Sequence, residues 1–339
     1  MATLREVAKR AGVSIKTVSR IVNGDAGVTA HTRQSVERHL ATLNYVPNHA
    51  ARQMRMGTSS IFGLMTDAIA TTPYSVDIVR GAQEALKEHH QTLLIASSDG
   101  DPAREQELWR MFRAHRVAGV VYASMFHRSH DVGKPAFDKS IILANCFAEH
   151  ADRPSIIPDD EEGGYTQARY LLQRGHRRIG IITLIQDIKA TRLRADGMRR
   201  AFNEAGVAFD EALYVQGYTG TVGHEVSCVI PVATQMLTGK HRPSAIICGN
   251  DTVAMQVYAA AASRGLNVPD DLSIIGFDDL KLISETLYPQ LTTVALPYFD
   301  IGRKAVELSY SAREHDDDWA PRLLVNCPLV ERHSCRPLA

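Results

Sequence analysis

Residues 3–24 read TLREVAKRAGVSIKTVSRIVNG, and their spacing decides how the chain begins. Leu4, Val7, Ala8 and Ala11 recur at helical intervals. Gly12 supplies a left-handed residue that ends this helix and turns the chain. Ser14 is a natural N-cap for the next helix. In that second helix, residues 14–23, Val18, Ile21 and Val22 share one face. Lys16 and Arg20 stand four apart on the other face and project together, with Ile15 near the helix start. A second helix with two cations and an apolar residue on its free face fits a DNA major groove. Thr17, Ser19 and Asn23 flank it and can donate to phosphates. A third helix starts near Thr29 and buries Val36, Leu40 and Leu43. Three small helices can show such periodicity without touching DNA, so the spacing alone leaves binding open.

Charge distribution adds to it. The 339 residues carry 38 basic and 38 acidic side chains, a formal net charge of zero. Residues 1–57 hold nine Lys/Arg against three Asp/Glu, a net of +6, which leaves −6 on the remainder. A short basic head on a larger acidic body is the layout of a nucleic-acid module with a second module behind it. The length exceeds one ordinary core and suits two or three domains. No apolar run reaches membrane-spanning length and no signal-peptide segment is visible, so a cytoplasmic protein without membrane contact is expected. The five cysteines, at 146, 228, 248, 327 and 335, are scattered and odd in number. They form no CxxC pair and are read as reduced thiols.

Two runs, Thr3–Gly24 and VTAHTRQSVERHLATLNYVPNHAARQMRMG (Val28–Gly57), together resemble the head of the lac repressor family of bacterial transcription regulators. Later stretches fit the same family: GHRRIGII (Gly175–Ile182), RLRADG (Arg192–Gly197), AIICGND (Ala245–Asp251), VPDDLSIIGFDD (Val268–Asp279) and LTTVALP (Leu291–Pro297). The resemblance thus spans essentially the whole chain. It implies a small all-α helix-turn-helix head with a hinge helix, residues 1–57. A two-lobed α/β body of the periplasmic-binding-protein type, residues 58–339, should come after it. The chain would cross between lobes near 157–161, near 289–292 and once more near the C-terminus.

Between head and body, Pro47 suits a new helix start, and the segment 47–56 is too short to be a stable helix alone. Ala50, Ala51 and Met54 form a small apolar strip on it. The resemblance implies that two such helices pair over the minor groove of operator DNA. Met54 stands where the family carries a leucine wedge, and methionine is a slimmer, more flexible one. The DNA-facing set is therefore Ser14, Ile15, Lys16, Thr17, Ser19, Arg20, Asn23, Thr29, Asn48, Ala51 and Met54. Pro337-Leu338-Ala339 comes soon after Val330, without a leucine-repeat tail, so a homodimer is expected rather than a tetramer.

Apolar strand candidates in the body are Ile61–Met65, Thr92–Ala96, Gly119–Tyr122, Ile141–Ala144, Ile179–Thr183, Ala245–Cys248 and Ser273–Gly276. Amphipathic helices are expected near 75–90, 103–115, 161–174, 191–205, 224–238 and 252–264. Such alternation means parallel sheets covered on both faces. Small molecules bind such sheets at the carboxyl ends of the strands. By residue-by-residue match, the resemblance makes Asn145, Arg194, Asn250 and Asp278 effector contacts, with Tyr218 as a stacking face and Tyr74 at the mouth of the first lobe. Asn and Asp at strand ends also serve as ordinary turn formers. Ser75 and Pro158 replace aromatics that the family can carry there. Hydroxyl-bearing rings suit donors and acceptors of this mixture, so a sugar or sugar derivative is the expected effector.

An enzyme is not expected, because GxSxG, P-loop, GxGxxG and HExxH motifs are all absent. Asp159 to Glu162 form a carboxylate run, read as acids favouring a helix N-terminus rather than a metal site. His127 and His130 are placed in a loop, and no metal or cofactor is assigned. The expected function is a DNA-binding repressor of carbohydrate genes, tuned by an effector in the interlobe cleft. Alternatives are control by a phosphorylated partner protein or by a nucleobase, and, against the basic head, a solute-binding receptor.

Overall fold

The computed structural model describes residues 2–22, 25, 27–45, 59–67, 75–133, 135, 137, 139–150, 153–221, 224–312 and 321–338. The hinge segment 47–56, Asn23, Asn48, Ala51, Met54, Tyr74 and the acidic run 313–318 lie outside them. The chain divides into two compact units, residues 1–60 and 61–339.

In the head, α1 (Leu4–Ala11) opens with a reciprocal cap. The Thr3 side chain accepts from the Glu6 N–H, and the Glu6 carboxylate accepts from the Thr3 N–H at 2.7 Å. Gly12, at φ 65°, closes the helix as the sequence requires. Ser14 Oγ then accepts from the Thr17 N–H at 3.0 Å and starts α2 (Ile15–Val22). Thr29 caps α3 (Ala30–Thr42) through the Thr32 N–H. Val7, Val18 and Val36 meet in a fully buried centre, joined by Ala8 and Ile21. One small cluster therefore fixes three short helices, none of which is long enough to persist alone.

The body holds two six-stranded sheets. The first contains β1 (Ile61–Thr66), β2 (Thr92–Ser97), β3 (Val120–Ser129), β4 (Ile141–Phe147), β5 (Ser155–Pro158) and β13 (Arg322–Val325), in the order β13-β5-β4-β3-β1-β2. The second contains β6 (Ile179–Thr183), β7 (Tyr214–Gln216), β10 (Ala245–Cys248), β11 (Ser273–Asp278), β12 (Thr292–Ala295) and β14 (Leu329–Val330), in the order β14-β12-β11-β10-β6-β7. All pairings are parallel except β12 with β14. The strands read as unbroken apolar runs because both faces are covered. Val121, Ala123, Ile142 and Ala144 point into one core, and Val120, Tyr122, Ile141 and Leu143 into the other.

Helices α4 (Ser75–Glu88), α5 (Pro102–Ala114) and α11 (Tyr298–Ser311) cover the first sheet. Helices α6 (Asp160–Gln173), α7 (Lys189–Glu204), α8 (Val229–Met236) and α9 (Asp251–Ser263) cover the second, and the short α10 (Lys281–Ser284) comes after β11. The chain crosses between lobes at Pro158–Asp160, at Leu296–Pro297 and between β13 and β14. The middle crossing falls later than 289–292 because β12 remains in the second sheet. The expected helix 224–238 is also shorter: its first part is β9 (His224–Ser227), a hairpin partner of β8 (Tyr218–Thr221). Four exposed residues, HEVS, have no apolar face to bury as helix.

Each lobe has one very close helix crossing, and glycines permit it. A Cβ on Gly164 of α6 would fall inside the Arg194 carbonyl of α7, and one on Gly197 inside the Glu161 carbonyl. Gly81 of α4 and Gly302 of α11 play the same part in the first lobe. The α6–α7 contact has a functional consequence, because it sets Arg194 beside Asp160.

Candidate functional site

On α2 of the head, Lys16 is exposed and Ile15 is 42% exposed, on a helix whose other face is buried. Arg20 is exposed too, but its guanidinium is already engaged. Nε donates to Asp25 Oδ2 at 2.7 Å and Nη2 to Oδ1 at 3.2 Å. The Arg20 bond, helped by the Gly27 N–H, lowers the Asp25 carboxyl to about 2. Arg33 donates to the Asp25 carbonyl at 2.5 Å. The turn after α2 thus holds a planar fork in a fixed direction, which favours bidentate recognition over a loose point charge. Ser14 and Thr17 bond each other at 2.9 Å, as do Thr29 and Thr32, so these hydroxyls have cap roles as well.

In the body, the polar centre forms where the lobes meet. Arg194 of α7 is 6% exposed. Its Nε donates to Asp160 Oδ1 at 2.7 Å, its Nη1 to the Gly249 carbonyl at 2.8 Å, and its Cζ sits 3.4 Å from the Phe277 ring centre. Asp160 is the first residue of α6 and is 1% exposed; its Oδ2 lies 2.6 Å from His127 Nδ1. His127 belongs to β3 in the first lobe, so His127–Asp160–Arg194 is one buried chain across both lobes. Burial alone would raise the Asp160 carboxyl. The Arg194 charge and the His127 bond outweigh it and hold the group below the usual carboxylate range. Burial lowers Arg194, and the charges of Asp160 and Asp278 more than restore it.

Asn145 lies within β4, two residues before its end and not at a strand end as expected; its backbone is in the left-handed region, at φ 57°, and it is 1% exposed. Its Nδ2 donates to the Ser124 carbonyl at 3.0 Å, while Oδ1 is buried and finds no hydrogen-bond partner among the described residues. His127 Nε2 and Thr191 Oγ1 are orphaned in the same way. Buried polar atoms are normally paired; His127 belongs to the buried chain and Thr191 lines the space beside Arg194, so their orphan atoms mark a candidate ligand position there, while Asn145 is held through Ser124. In this conformation the space beside Arg194, lined by Thr191 and Gly249, measures about 10 Å³. That is room for about one water.

Asp278 stands in a strained turn, with φ of 107° and 54° at Asp278 and Asp279. Such strain persists only where the surroundings impose it. Here Asp279 is tied to Arg332 at 2.7 Å and Ser284 at 3.0 Å, and the Leu280 N–H donates to Asp251 Oδ2 at 2.7 Å. Asn250 caps α9 by accepting from the Val253 N–H at 2.9 Å, so that residue has the turn-former's role. Tyr218 lies half-buried in β8, and burial raises its phenol.

Two expectations need correction. His127 is in a strand, not a loop, and it joins Asp160, whereas His130 stacks on Tyr122 with centroids 4.2 Å apart. Asp160 does more than complement a helix dipole: it is the buried anion between two lobes. Asp159, its neighbour, is the residue that caps, by accepting from the Glu162 N–H at 3.1 Å. Nothing in the run DDEE tells which acid turns inward, and the irregular register within β3 hides His127.

No helix among the described residues is long and apolar enough to cross a membrane. Residues 3–48 match the bacterial regulatory proteins of the lacI family, and residues 168–335 match a periplasmic binding protein-like domain. The sucrose operon repressor of Escherichia coli is 34% identical, over 98% of this chain and 100% of that protein. The transcriptional repressor PurR of Vibrio atlanticus is 30% identical, over 100% of both. Among solved structures, the lac repressor dimer bound to operator and an anti-inducer superposes with a TM-score of 0.79, at 25% identity, covering 99% of each chain.

Proposed function

Because the chain belongs to the lacI family of bacterial regulatory proteins, and is thus a DNA-binding transcriptional regulator, we propose that it represses carbohydrate genes and that a sugar-like molecule between its lobes sets operator affinity. The observation that carries this is the set of buried orphan atoms on Asn145, His127 and Thr191, together with the fixed guanidinium of Arg194. Hydroxyls donate to the first two and accept from the arginine, which is the chemistry of a polyol. Tyr218, and Tyr74 outside the described residues, are assigned to the ring face. Asn250 and Asp278 complete the set.

Control arises from contacts to both lobes. The space of about 10 Å³ beside Arg194 is lined by second-lobe residues and cannot take a ring, so an effector that bonds Arg194 together with Asn145 and His127 of the first lobe lies between the lobes and selects their spacing. In a homodimer this spacing moves the two hinge segments, 47–56, and a coupling of ~1–3 kcal/mol shifts operator affinity five- to a hundredfold or so. On the DNA, Lys16, Ile15 and Arg20 read bases, while Ser14, Thr17, Ser19, Asn23, Thr29, Asn48 and Ala51 are assigned to backbone and groove, and Met54 to the wedge. The working place is the cytoplasm, where the DNA is.

A nucleobase effector is the second reading, and the relative named PurR is what favours it. Calorimetry of the full chain against a panel of sugars and nucleobases separates the two. Sugar binding that disappears in Arg194→Ala, with operator binding kept, supports the proposal. Nucleobase binding alone, or a normal sugar response from Arg194→Ala, overturns it.

A further inference from the structure

A cavity of about 360 Å³ opens on the first lobe, between the start of α5 and the end of β3, and among the described residues none of the second lobe lines it. Its size falls within the range of small-molecule sites. Charges of both signs line it, Glu105 and Asp131 against Arg128. Glu105 of α5 is 9% exposed, with Oε1 3.3 Å from Trp109 Nε1 and Oε2 3.5 Å from the Tyr122 hydroxyl. His130 Nε2 lies 3.4 Å from the same carboxylate, and its ring is stacked on Tyr122. Burial alone would raise the Glu105 carboxyl, but the His130 contact and the Trp109 and Tyr122 bonds bring it below its ordinary value, so it is ionised at neutral pH. Arg128 of β3 is held from behind: Nε donates to Ser124 Oγ at 3.0 Å and Nη2 to Asp67 Oδ2 at 2.8 Å.

Each charge has its own anchors, and among the described residues Glu105 and Arg128 do not bond each other. Side chains that could neutralise one another are instead kept apart across an open space. A purely anionic ligand would meet Glu105 and Asp131, and a purely cationic one would meet Arg128. A molecule carrying both charges satisfies both walls. We propose that this cavity is a second ligand site, for a zwitterion of amino-acid size, its ammonium on Glu105 and its carboxylate on Arg128. The site also touches regulation. Ser124, which holds Arg128 through its hydroxyl, holds Asn145, assigned above to the effector, through its carbonyl. Occupancy at Arg128 therefore reaches the interlobe residues through one intervening amino acid.

The test is calorimetry of the full-length protein with each proteinogenic amino acid at up to roughly 10 mM. One amino acid, or a group of similar ones, is expected to bind once per chain. Glu105→Gln and Arg128→Gln should each weaken it at least about tenfold. Gln106→Trp, on the exposed rim, should block entry without touching the Glu105 anchors, and so decides the matter if Glu105→Gln fails to fold. Arg194→Ala should leave this binding intact. Absence of binding by every amino acid overturns the proposal. So does binding that survives both charge variants and Gln106→Trp, and so does loss in Arg194→Ala, which would put the ligand between the lobes.

Discussion

Asp160→Asn keeps the shape of the buried residue that joins the lobes and removes its charge. The Arg194 guanidinium then retains Gly249 and the Phe277 ring but loses the anion 2.7 Å away. Breaking a buried pair by removing one partner costs ~3–5 kcal/mol. The amide oxygen still accepts one bond, and Asp278 remains as a nearby negative charge, so we expect the lower end, ~3 kcal/mol. In a domain of this size that lowers the thermal midpoint by ~6–12 °C. The acid side carries a second signature. The folded Asp160 carboxyl lies below its unfolded value of 3.8. Its contribution is therefore complete above that value and is lost as pH falls through the lower folded one. Urea unfolding of both proteins between neutral and acid pH measures each effect. The acid-side slope should be shallower in the variant. A loss under ~1 kcal/mol, or identical acid slopes, would refute the reasoning. The double change Asp160→Leu with Arg194→Met should recover much of the stability, because the uncompensated charge is then gone. Simple addition of the two single losses would count against that cause.

Other groups give further expected outcomes. Burial pushes the Asp251 carboxyl up to about 7, against the pull of Thr293 and the Leu280 N–H. Its stabilising contribution is thus full below its unfolded value and is lost as pH rises to about 7; Asp251→Asn should flatten that slope, and an unchanged slope sinks the assignment. Lys16→Ala should cost ~1–3 kcal/mol on the cognate operator and relax base preference. Equal losses on scrambled DNA would make Lys16 a phosphate contact. Gly197→Ala forces α7 off α6 and should destabilise the body by at least ~1–3 kcal/mol in urea unfolding. A neutral result would mean that the crossing relaxes freely. Met54→Gly should abolish operator bending in a gel-shift assay while effector binding persists.

The parts of the molecule legible in its sequence are those governed by local rules. Leu4, Val7, Ala8 and Ala11 announce α1 because a helix buries one stripe, and Gly12 marks its end because the chain needs a positive φ there. Runs such as AIIC and IGIIT read as strands because two covered faces leave no polar alternation. Arg194 is reachable through the match of RLRADG to its family. Its partners are not. His127 and Asp160 stand far apart in sequence, and only the packing of β3 against the start of α6 makes them one unit. The antiparallel pair β8–β9 escapes for a related reason: apart from Tyr218, which packs on the core, its residues are held by each other and not by a core-facing stripe. Glu105 gives no signal either, since one acid on an amphipathic helix is ordinarily solvated.

The three crossings also bear on how the molecule is made. The first lobe takes β1 to β5 from the early part of the body, but its helix α11 and its edge strand β13 come from residues 298–325. A ribosome delivers the chain in order. When β5 has emerged, one side of it has no neighbour and α4 has no α11 to pack against. The later lobe, by contrast, lacks only the two-residue strand β14 and the C-terminal segment bonded to it, such as Arg332 on Asp279 and Ser334 on Thr292, when β12 is complete. The lobe that begins second should therefore consolidate first, and the earlier one should wait with apolar surface exposed, as an object for chaperones. The same interleaving bars any single cut from releasing an intact first lobe. Exchange of first lobes between relatives would need two segments moved together, so these bodies are expected to vary by substitution within a lobe and not by the shuffling of whole lobes.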